Sequence, residues 1–392
     1  MRRNRIILVV LWITSVVCIS FYGGTVSYGF FTVVSLIPVV SLIYLLLVLL
    51  RFKIYQRFEC PEIVSNHVVP FYFTLQNEDF FAFAGVRVNF YSDFSEIDGL
   101  SDDIEYELLP HTKIRKETGL ICRYRGEYYV GIKSVTIRDF LCLFQITYNN
   151  GEPLRATVVP DIIKLASLKS ADAEVLSSRE SSDSMQYPDV TVREYMRGDD
   201  VRQINWKQSA RTGKLYVRNY AGEEKDGVGI IIDTRRKDNE QAVYLPVENR
   251  ILEAAIALAL FFMNKNIHVS AYCYKSGVEE HAVDSADSFD RFYRSMASEV
   301  FDPDLDSALM YAAFMGYAGI GENKIVFMVT PDADDGAMEL AGWLNRGNTD
   351  VIIYHVGNDD AGDTEGLEPE VSVGPHTKLY KVPTEGNLEG LL

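Results

Sequence analysis

Two uncharged apolar runs near the amino terminus constrain this chain more than anything downstream. They are residues 6–22 (IILVVLWITSVVCISFY) and 28–50 (YGFFTVVSLIPVVSLIYLLLVLL), separated by Gly23-Gly24-Thr25-Val26-Ser27. At 1.5 Å per residue, about twenty residues cross the ~30 Å hydrocarbon core, so the pair predicts a transmembrane helical hairpin. Arg2, Arg3 and Arg5 precede the first run, Arg51, Lys53 and Arg57 follow the second, and the turn carries no charge. Basic flanks stay on the cytoplasmic side, which predicts a cytoplasmic (inner) membrane protein with both termini in the cytoplasm. A cleaved signal peptide leaves the second run unexplained. Pro38 lies inside the second run, where a lipid-embedded helix tolerates it.

Charge is unevenly placed. Residues 228–392 hold twelve Lys/Arg against twenty-eight Asp/Glu, most of the overall net charge of −17. Such a region repels nucleic acid and anionic lipid and suits a basic protein surface. The five cysteines, Cys18, Cys60, Cys122, Cys142 and Cys273, contain no C-x-x-C spacing. That pattern fits reduced thiols better than a secreted disulfide framework.

Beyond the hairpin (residues 1–57), residues 58–160 alternate in short Val-, Tyr-, Phe- and Thr-rich runs broken at Gly, Pro, Asn and Asp. They predict an all-β sandwich with one solvated face. Within it, Phe80-Phe81-Ala82-Phe83 reads as core strand rather than exposed tip. Residues 161–190, rich in Ser and Asp, predict a surface linker. From residue 228 to 392, strands such as VGIIID, HVSAYCY, KIVFMVT and DVIIYHV alternate with helical stretches. The fold class expected there is α/β, a mostly parallel doubly wound sheet.

Residues 191–227 contain the densest run in the chain, REYMRGDDVRQINWKQSAR. It lacks the first glycine and the hydroxyl of a phosphate-binding loop, since Gln208 and Leu215 stand there. The chain has no G-x-S-x-G and no H-E-x-x-H, so no catalytic residue is assigned and no enzyme activity is expected. Residues 193–220 hold seven Lys/Arg against three acids, but the interspersed acids and the acidic neighbouring region disfavour nucleic acid. The structural reading makes Asp199 or Asp200 a helix cap after Gly198, and Gly213 a helix end. Trp206 would be a buried anchor, since one indole can bury ~150–250 Å². Arg193, Arg202 and Arg211 would pair with Glu194, Asp199 or Asp200, so that the segment clasps the linker to the α/β domain.

These residues, R-E-Y-x-x-G-D-x-x-R-x-I-x-W-x-x-S-A-R-x-G-x-L-x-V-R-x-Y from Arg193, Glu194 and Tyr195 onward, resemble the signature of the DUF58 family (domain of unknown function 58). RYRGEYYVG and the later IRDF resemble that family's R-G-x-Y-x-x-G … D-P-F-G-L-F segment, with Leu141-Cys142 departing from it. The resemblance implies a membrane-tethered β-domain followed by a von Willebrand factor A-like domain. It also implies, by association, a MoxR-type AAA+ ATPase and a transglutaminase-like membrane protein as partners.

A von Willebrand A domain holds Mg²⁺ with D-x-S-x-S after its first strand and further oxygens from two loops. Here the first strand ends Asp233-Thr234-Arg235-Arg236-Lys237, with cations at both serine positions. Cations beside a divalent ion oppose its binding, so no metal or other cofactor is expected. Asp233, Thr330 and Asp332 remain the weak candidates for Mg²⁺, and Asp233 is more simply an ion-pair partner of Arg235. The reading is a scaffold or adaptor whose acidic top, Asp233, Asp332, Asp334 and Asp335, docks the ATPase. Its rivals are a divalent-metal-dependent binding module, a nucleic-acid binder and an uncharacterised enzyme.

Overall fold

A computed structural model describes residues 1–60, 62–100, 104–168, 192–194, 206–218, 227–357, 371–374, 376–388 and 392. The chain has mixed α/β content and divides into two compact units, Met1–Asp161 and Ile162–Leu392.

The first unit begins with α1 (Arg2–Tyr22) and α2 (Gly24–Arg51), both long and apolar enough to cross a membrane. The sequence suggests a five-residue break between them. The structure needs only Gly23 outside the helices, because Gly23 and Gly24 take positive φ of 55° and 85°, a region that glycine enters without a Cβ clash. Only Phe52 separates α2 from β1 (Lys53–Phe58), so the β region starts earlier than residue 58.

The strands that follow are β2 (Ile63–Val64), β3 (Val68–Gln76), β4 (Phe83–Phe90), β5 (Ser95–Ile97), β6 (Glu105–Leu108), β7 (Lys113–Cys122), β8 (Gly126–Val130), β9 (Ile132–Arg138), β10 (Gln145–Asn149) and β11 (Leu154–Val159). They form three sheets, ordered β1-β3-β7-β5, β10-β9-β4-β6 and β2-β11-β8. Strand periodicity explains the core: in β3, Val69, Phe71, Phe73 and Leu75 are buried while the residues between them face outward. The Phe80–Phe83 run divides. Phe83 is fully buried in β4, Phe81 is half-buried, and Phe80 is 82% exposed.

In the second unit, β12 (Val192–Glu194) pairs antiparallel with β13 (Tyr216–Arg218), and α3 (Trp206–Thr212) lies between them in sequence. A seven-stranded sheet follows, built from β14 (Val228–Ile232), β15 (Val269–Tyr274), β16 (Val278–Ala282), β17 (Ile325–Thr330), β18 (Asp350–Gly357), β19 (Val371–Gly374) and β20 (Thr377–Pro383). Its order is β16-β15-β14-β17-β18-β20-β19; the five inner strands are parallel and the two edges antiparallel. The parallel strands require crossovers, which α4 (Gln241–Asn264), α5 (Ala286–Ala297), α6 (Ser307–Gly316) and α7 (Asp335–Arg346) supply.

Alternation along β14 and β17 sends Ile230, Ile232, Phe327 and Val329 into one core with α4 and α5. Ile231, Val326 and Met328 enter a second core with α6 and α7. Ile163, Leu165 and Leu168 pack against the first of these cores, so the start of the predicted linker is part of the folded unit. α4 is buried nearly all round, yet it carries Glu248, Asn249, Arg250 and Glu253 inside. Their partners include Arg236, 2.6 Å from Glu248, and the Gly386 carbonyl, 2.7 Å from Arg250. At the end of α7, Gly347 has φ of −82°, and it is Asn348 that takes the left-handed conformation (φ 60°).

Candidate functional site

Chain order and sheet order diverge at β14. From β14 the chain moves outward to β15 and β16, then returns to β14's other side as β17 and continues outward to β18 and β20. Such a reversal opens a crevice at the carboxyl ends of the two central strands, the usual ligand position in open α/β sheets. Asp233 follows β14 and Thr330 ends β17. The Asp233 N–H donates to the Val329 carbonyl at 3.0 Å, which joins the two strand ends.

Arg235 fills this crevice. Its Nη2 donates to Asp233 Oδ2 at 2.6 Å, and its Nε lies 3.0 Å from both carboxylate oxygens. Nη1 reaches Asp334 Oδ2 at 2.6 Å, and Nη2 also donates to Tyr311 Oη at 3.1 Å. The guanidinium carbon stands 5.1 Å from the Tyr311 ring centroid. Tyr311 Oη and Thr330 Oγ1 donate to Asp233 Oδ2 at 3.1 and 2.7 Å, while Ser307 Oγ donates to Asp334 Oδ2 at 2.5 Å. Asp233, Asp334 and Tyr311 thus converge on one arginine, and Thr330 and Ser307 brace the two carboxylates.

Local structure accounts for the placement. Asp334 caps α7 by accepting from the Ala337 N–H at 3.0 Å, which fixes its carboxylate at the strand end. A Cβ on Gly336 would come within 2.7 Å of the Tyr311 ring, so the first turn of α7 has room for that ring only because residue 336 has no side chain. Burial pushes the Tyr311 phenol up, as does the Asp233 charge, while Arg235 opposes the rise; the hydroxyl stays protonated as a donor. Burial also acts to raise the Asp334 carboxyl, but the bonds from Ser307, Arg235 and the Ala337 N–H outweigh it and hold the group below its ordinary value.

The sequence places Asp233 on the docking surface, and the structure corrects this. Asp233 is 1% exposed and faces Arg235. Asp332 pairs with Lys237 at 2.5 Å, and Asp334 is held by Arg235 and Ser307. Asp335 is exposed. The rim also carries exposed Asp302, Asp304 and Asp306, carboxylates that sequence reasoning did not single out, with Val300 and Leu309 76% and 56% exposed beside them in sequence. A bridge between Arg235 and Asp302 ties this loop to the strand end.

Trp206 requires a second correction. Its indole is 62% exposed and is no buried anchor. The seven-residue α3 makes its close contact through a small residue: Ser209 is buried and its Oγ accepts the Tyr216 N–H at 2.9 Å. A hydrogen bond to β13 holds this helix where an aromatic ring was expected. Arg193 and Glu194 lie in β12 and Arg211 is exposed near the end of α3. Gly213 does follow that helix with φ of 73°, its N–H donating to Ser209. Tyr195, Gly198, Asp199 and Arg202 lie outside the described residues.

Sequence reasoning also missed Cys273, Glu279 and His281, whose donor atoms lie within 4.8 Å of one another on the β15–β16 pair. The signal is the pairing register, Cys273 opposite Glu279 and Ala271 opposite His281, which a sequence reading does not supply. Lys275 binds Glu279 and Glu299 there at 3.2 and 3.1 Å.

A parallel-centred α/β unit with an arginine-filled crevice at its switch point follows the signature segment, and one family match covers the segment and the first part of that unit. Residues 191–310 match the family described as "Protein of unknown function DUF58". The match takes in Asp233, Arg235 and Ser307 and stops before Tyr311, Thr330 and Asp334. No curated protein matches the chain. Among solved structures, a GH20 exo-β-N-acetylglucosaminidase from Vibrio harveyi in complex with N-acetylglucosamine aligns at 8% identity, over 81% of this chain and 61% of that one, with a TM-score of 0.16. An inactive mutant of the Vibrio harveyi enzyme aligns at 6% identity, over 79% and 57%, also at 0.16. The chain thus spans about three fifths of these enzymes' length, and likeness at that score carries no argument.

Proposed function

We propose that this chain is a membrane-anchored, cytoplasm-facing scaffold whose α/β unit docks a partner protein at the carboxyl end of its central strands. The β region is read as a sandwich and the α/β unit as von Willebrand A-like. The partner class, a MoxR-type AAA+ ATPase, follows from the DUF58 resemblance, as does a transglutaminase-like membrane protein in the same assembly. The basic flanks of the two apolar helices support the inner-membrane location with both termini in the cytoplasm.

The observation that carries the reading is the contrast between the crevice floor and its rim. Arg235 neutralises the buried Asp233 and engages Asp334, so the floor is a closed ion-pair network. Around it, Asp302, Asp304, Asp306 and Asp335 are exposed, with Val300 and Leu309 as apolar contacts. Acidic rims around apolar anchors suit recognition of a basic partner surface, where rim charge sets association rate and specificity. The test is co-purification of the full chain with the ATPase before and after Asp302→Lys, Asp304→Lys, Asp306→Lys and Asp335→Lys are combined. Loss of the complex with an unchanged melting temperature supports the placement; an undiminished complex refutes it.

The metal-dependent reading has one observation in its favour. Oxygens of Asp233, Asp334 and Tyr311 converge, as hard-cation ligands do, but on a guanidinium, with the Ser307 and Thr330 hydroxyls bonded to the two carboxylates. Titration calorimetry with Mg²⁺ or Mn²⁺ on the full chain separates the two readings: bound metal would displace Arg235 and favour the module.

A further inference from the structure

We propose that the first unit presses three loop tips, around Phe80, Leu109 and Phe140–Leu141, into the headgroup–acyl boundary of the bilayer that its two helices cross. The proposal rests on the membrane-spanning reading and goes beyond it, since a tethered domain needs no lipid contact of its own.

Helix register sets the height of the boundary. Trp12 Nε1 donates to Ser35 Oγ at 3.2 Å, which aligns α1 and α2 as antiparallel neighbours around Gly23. Equal rise per residue then places Arg5 near the level of Leu42, and Arg2 near the level of Leu45, next to Tyr44. Arg2, Arg3 and Arg5 are exposed cations of the kind that mark the headgroup level. Past Tyr44, α2 continues to Arg51 with Leu46, Leu47 and Leu50 exposed by 45%, 43% and 79%. Its lipid-like surface therefore extends about 9 Å beyond the level of Arg2.

The loops meet the helices at that level. Tyr44 Oη donates to the Ala82 carbonyl at 2.8 Å and accepts from the Ala84 N–H at 3.2 Å. The Tyr44 ring lies 5.9 Å from Phe81 and 5.2 Å, edge-on, from Phe140. Asn4 Nδ2 and Arg5 Nε donate to the carbonyls of Leu141 and Leu143 at 2.8 and 2.7 Å. Asn77 Nδ2 contacts the carbonyls of Phe81, Leu108 and Leu109, which ties the remaining tip to the same place. Phe80, Leu109, Phe140 and Leu141 are nonetheless 82%, 63%, 52% and 37% exposed.

Four large apolar side chains on loops, continuous with the exposed face of a spanning helix and beside exposed Arg2, Arg3 and Arg51, make a surface whose complement is an anionic bilayer. A protein occupant would have to share this site with the lipid already surrounding Leu46, Leu47 and Leu50.

The test uses the full chain in nanodiscs of phosphatidylcholine and phosphatidylglycerol, with spin-labelled lipids as tryptophan quenchers. Phe80→Trp in a Trp12→Phe background should lose its added emission to a label near the lipid carbonyls and show a blue-shifted maximum. Val68→Trp is the control. It starts β3 at the end remote from Gln76, which pairs with Lys53 beside the helix, and its side chain is already 63% exposed. Equal quenching at positions 80 and 68 overturns the proposal, as does a blue-shifted but unquenched Phe80→Trp, which would mean a protein covers the tip. Native Trp12 reports separately: its quenching by a label near the methyl ends keeps the spanning reading whatever position 80 does. No quenching of Trp12 removes both.

Discussion

The Arg235 guanidinium lies 2.6 Å from the Asp233 carboxylate two residues earlier in the chain, with Asp233 only 1% exposed. This short-range pair plugs the position where the sheet topology invites a ligand. It also makes the pair's two members unequal in consequence: losing the arginine side chain leaves a buried anion held by neutral donors, the Tyr311 and Thr330 hydroxyls and the backbone N–H of residue 235.

Arg235→Ala is therefore expected to lower stability by about 3–5 kcal/mol, the range for orphaning one partner of a buried ion pair. Denaturant unfolding of the second unit measures it. Asp233→Asn added to Arg235→Ala should restore part of the loss; no recovery would mean that the arginine's packing on Tyr311 dominates.

Trp206→Ala should leave the midpoint of unfolding within about 0.5 kcal/mol of the parent, as for exposed surface positions. Ser209→Ala, which removes the acceptor of the Tyr216 N–H, should cost about 1 kcal/mol or more. The reverse ranking would reinstate the indole as the fastener.

Burial pushes the Cys122 and Cys273 thiols up to about 11 and about 12, which keeps both protonated and slow to react. A water-soluble maleimide should leave these two unlabelled in the native chain and label them after denaturation. Mass spectrometry of the two peptides reads the result, and native labelling of either would contradict the packed cores.

Cys142 stands where the resembling family segment has glycine, and its φ is 54°. A side chain in that region costs about 1 kcal/mol or more, which glycine avoids. Cys142→Gly should raise the melting temperature of the first unit, and a fall would show that the thiol's contacts outweigh the backbone strain.

The Asp334 carboxyl sits below its ordinary value in the folded chain, so the unfolded state binds its proton first as pH falls. Its contribution to stability is complete above the unfolded carboxylate range near pH ~4 and disappears as pH drops through the folded value. Comparing Asp334→Asn with the parent isolates the charge, because asparagine still caps α7. The stability gap between them should shrink with acid.

The two apolar helices, the alternating strands of the first unit and the strand–helix order of the second were legible because each rests on local periodicity and flanking charge. The crevice was legible in part. Asp233 paired with Arg235 follows from their spacing, whereas Tyr311, Ser307 and Asp334 join them only through the sheet crossovers and the Gly336 gap. Trp206 misled because indole burial is a statistical tendency, and on a two-turn helix a serine made the close contact. Buried Glu248 and Arg250 on α4 were hidden for a related reason: Glu248 meets Arg236, and Arg250 meets the Gly386 carbonyl besides Glu253 on its own helix, so each has a partner distant in sequence or outside α4.

The junction between α2 and β1 has a mechanical consequence. Leu45, Val48 and Phe52 are buried, Phe52 with its ring 6.5 Å from Phe83 of β4, and Phe52 is the sole residue between helix and strand. No swivel separates this long apolar helix from the sheet it feeds. On the proposed membrane-spanning reading, a bilayer that thins and tilts the helix would turn the attached strands with it, gearing the first unit to bilayer thickness.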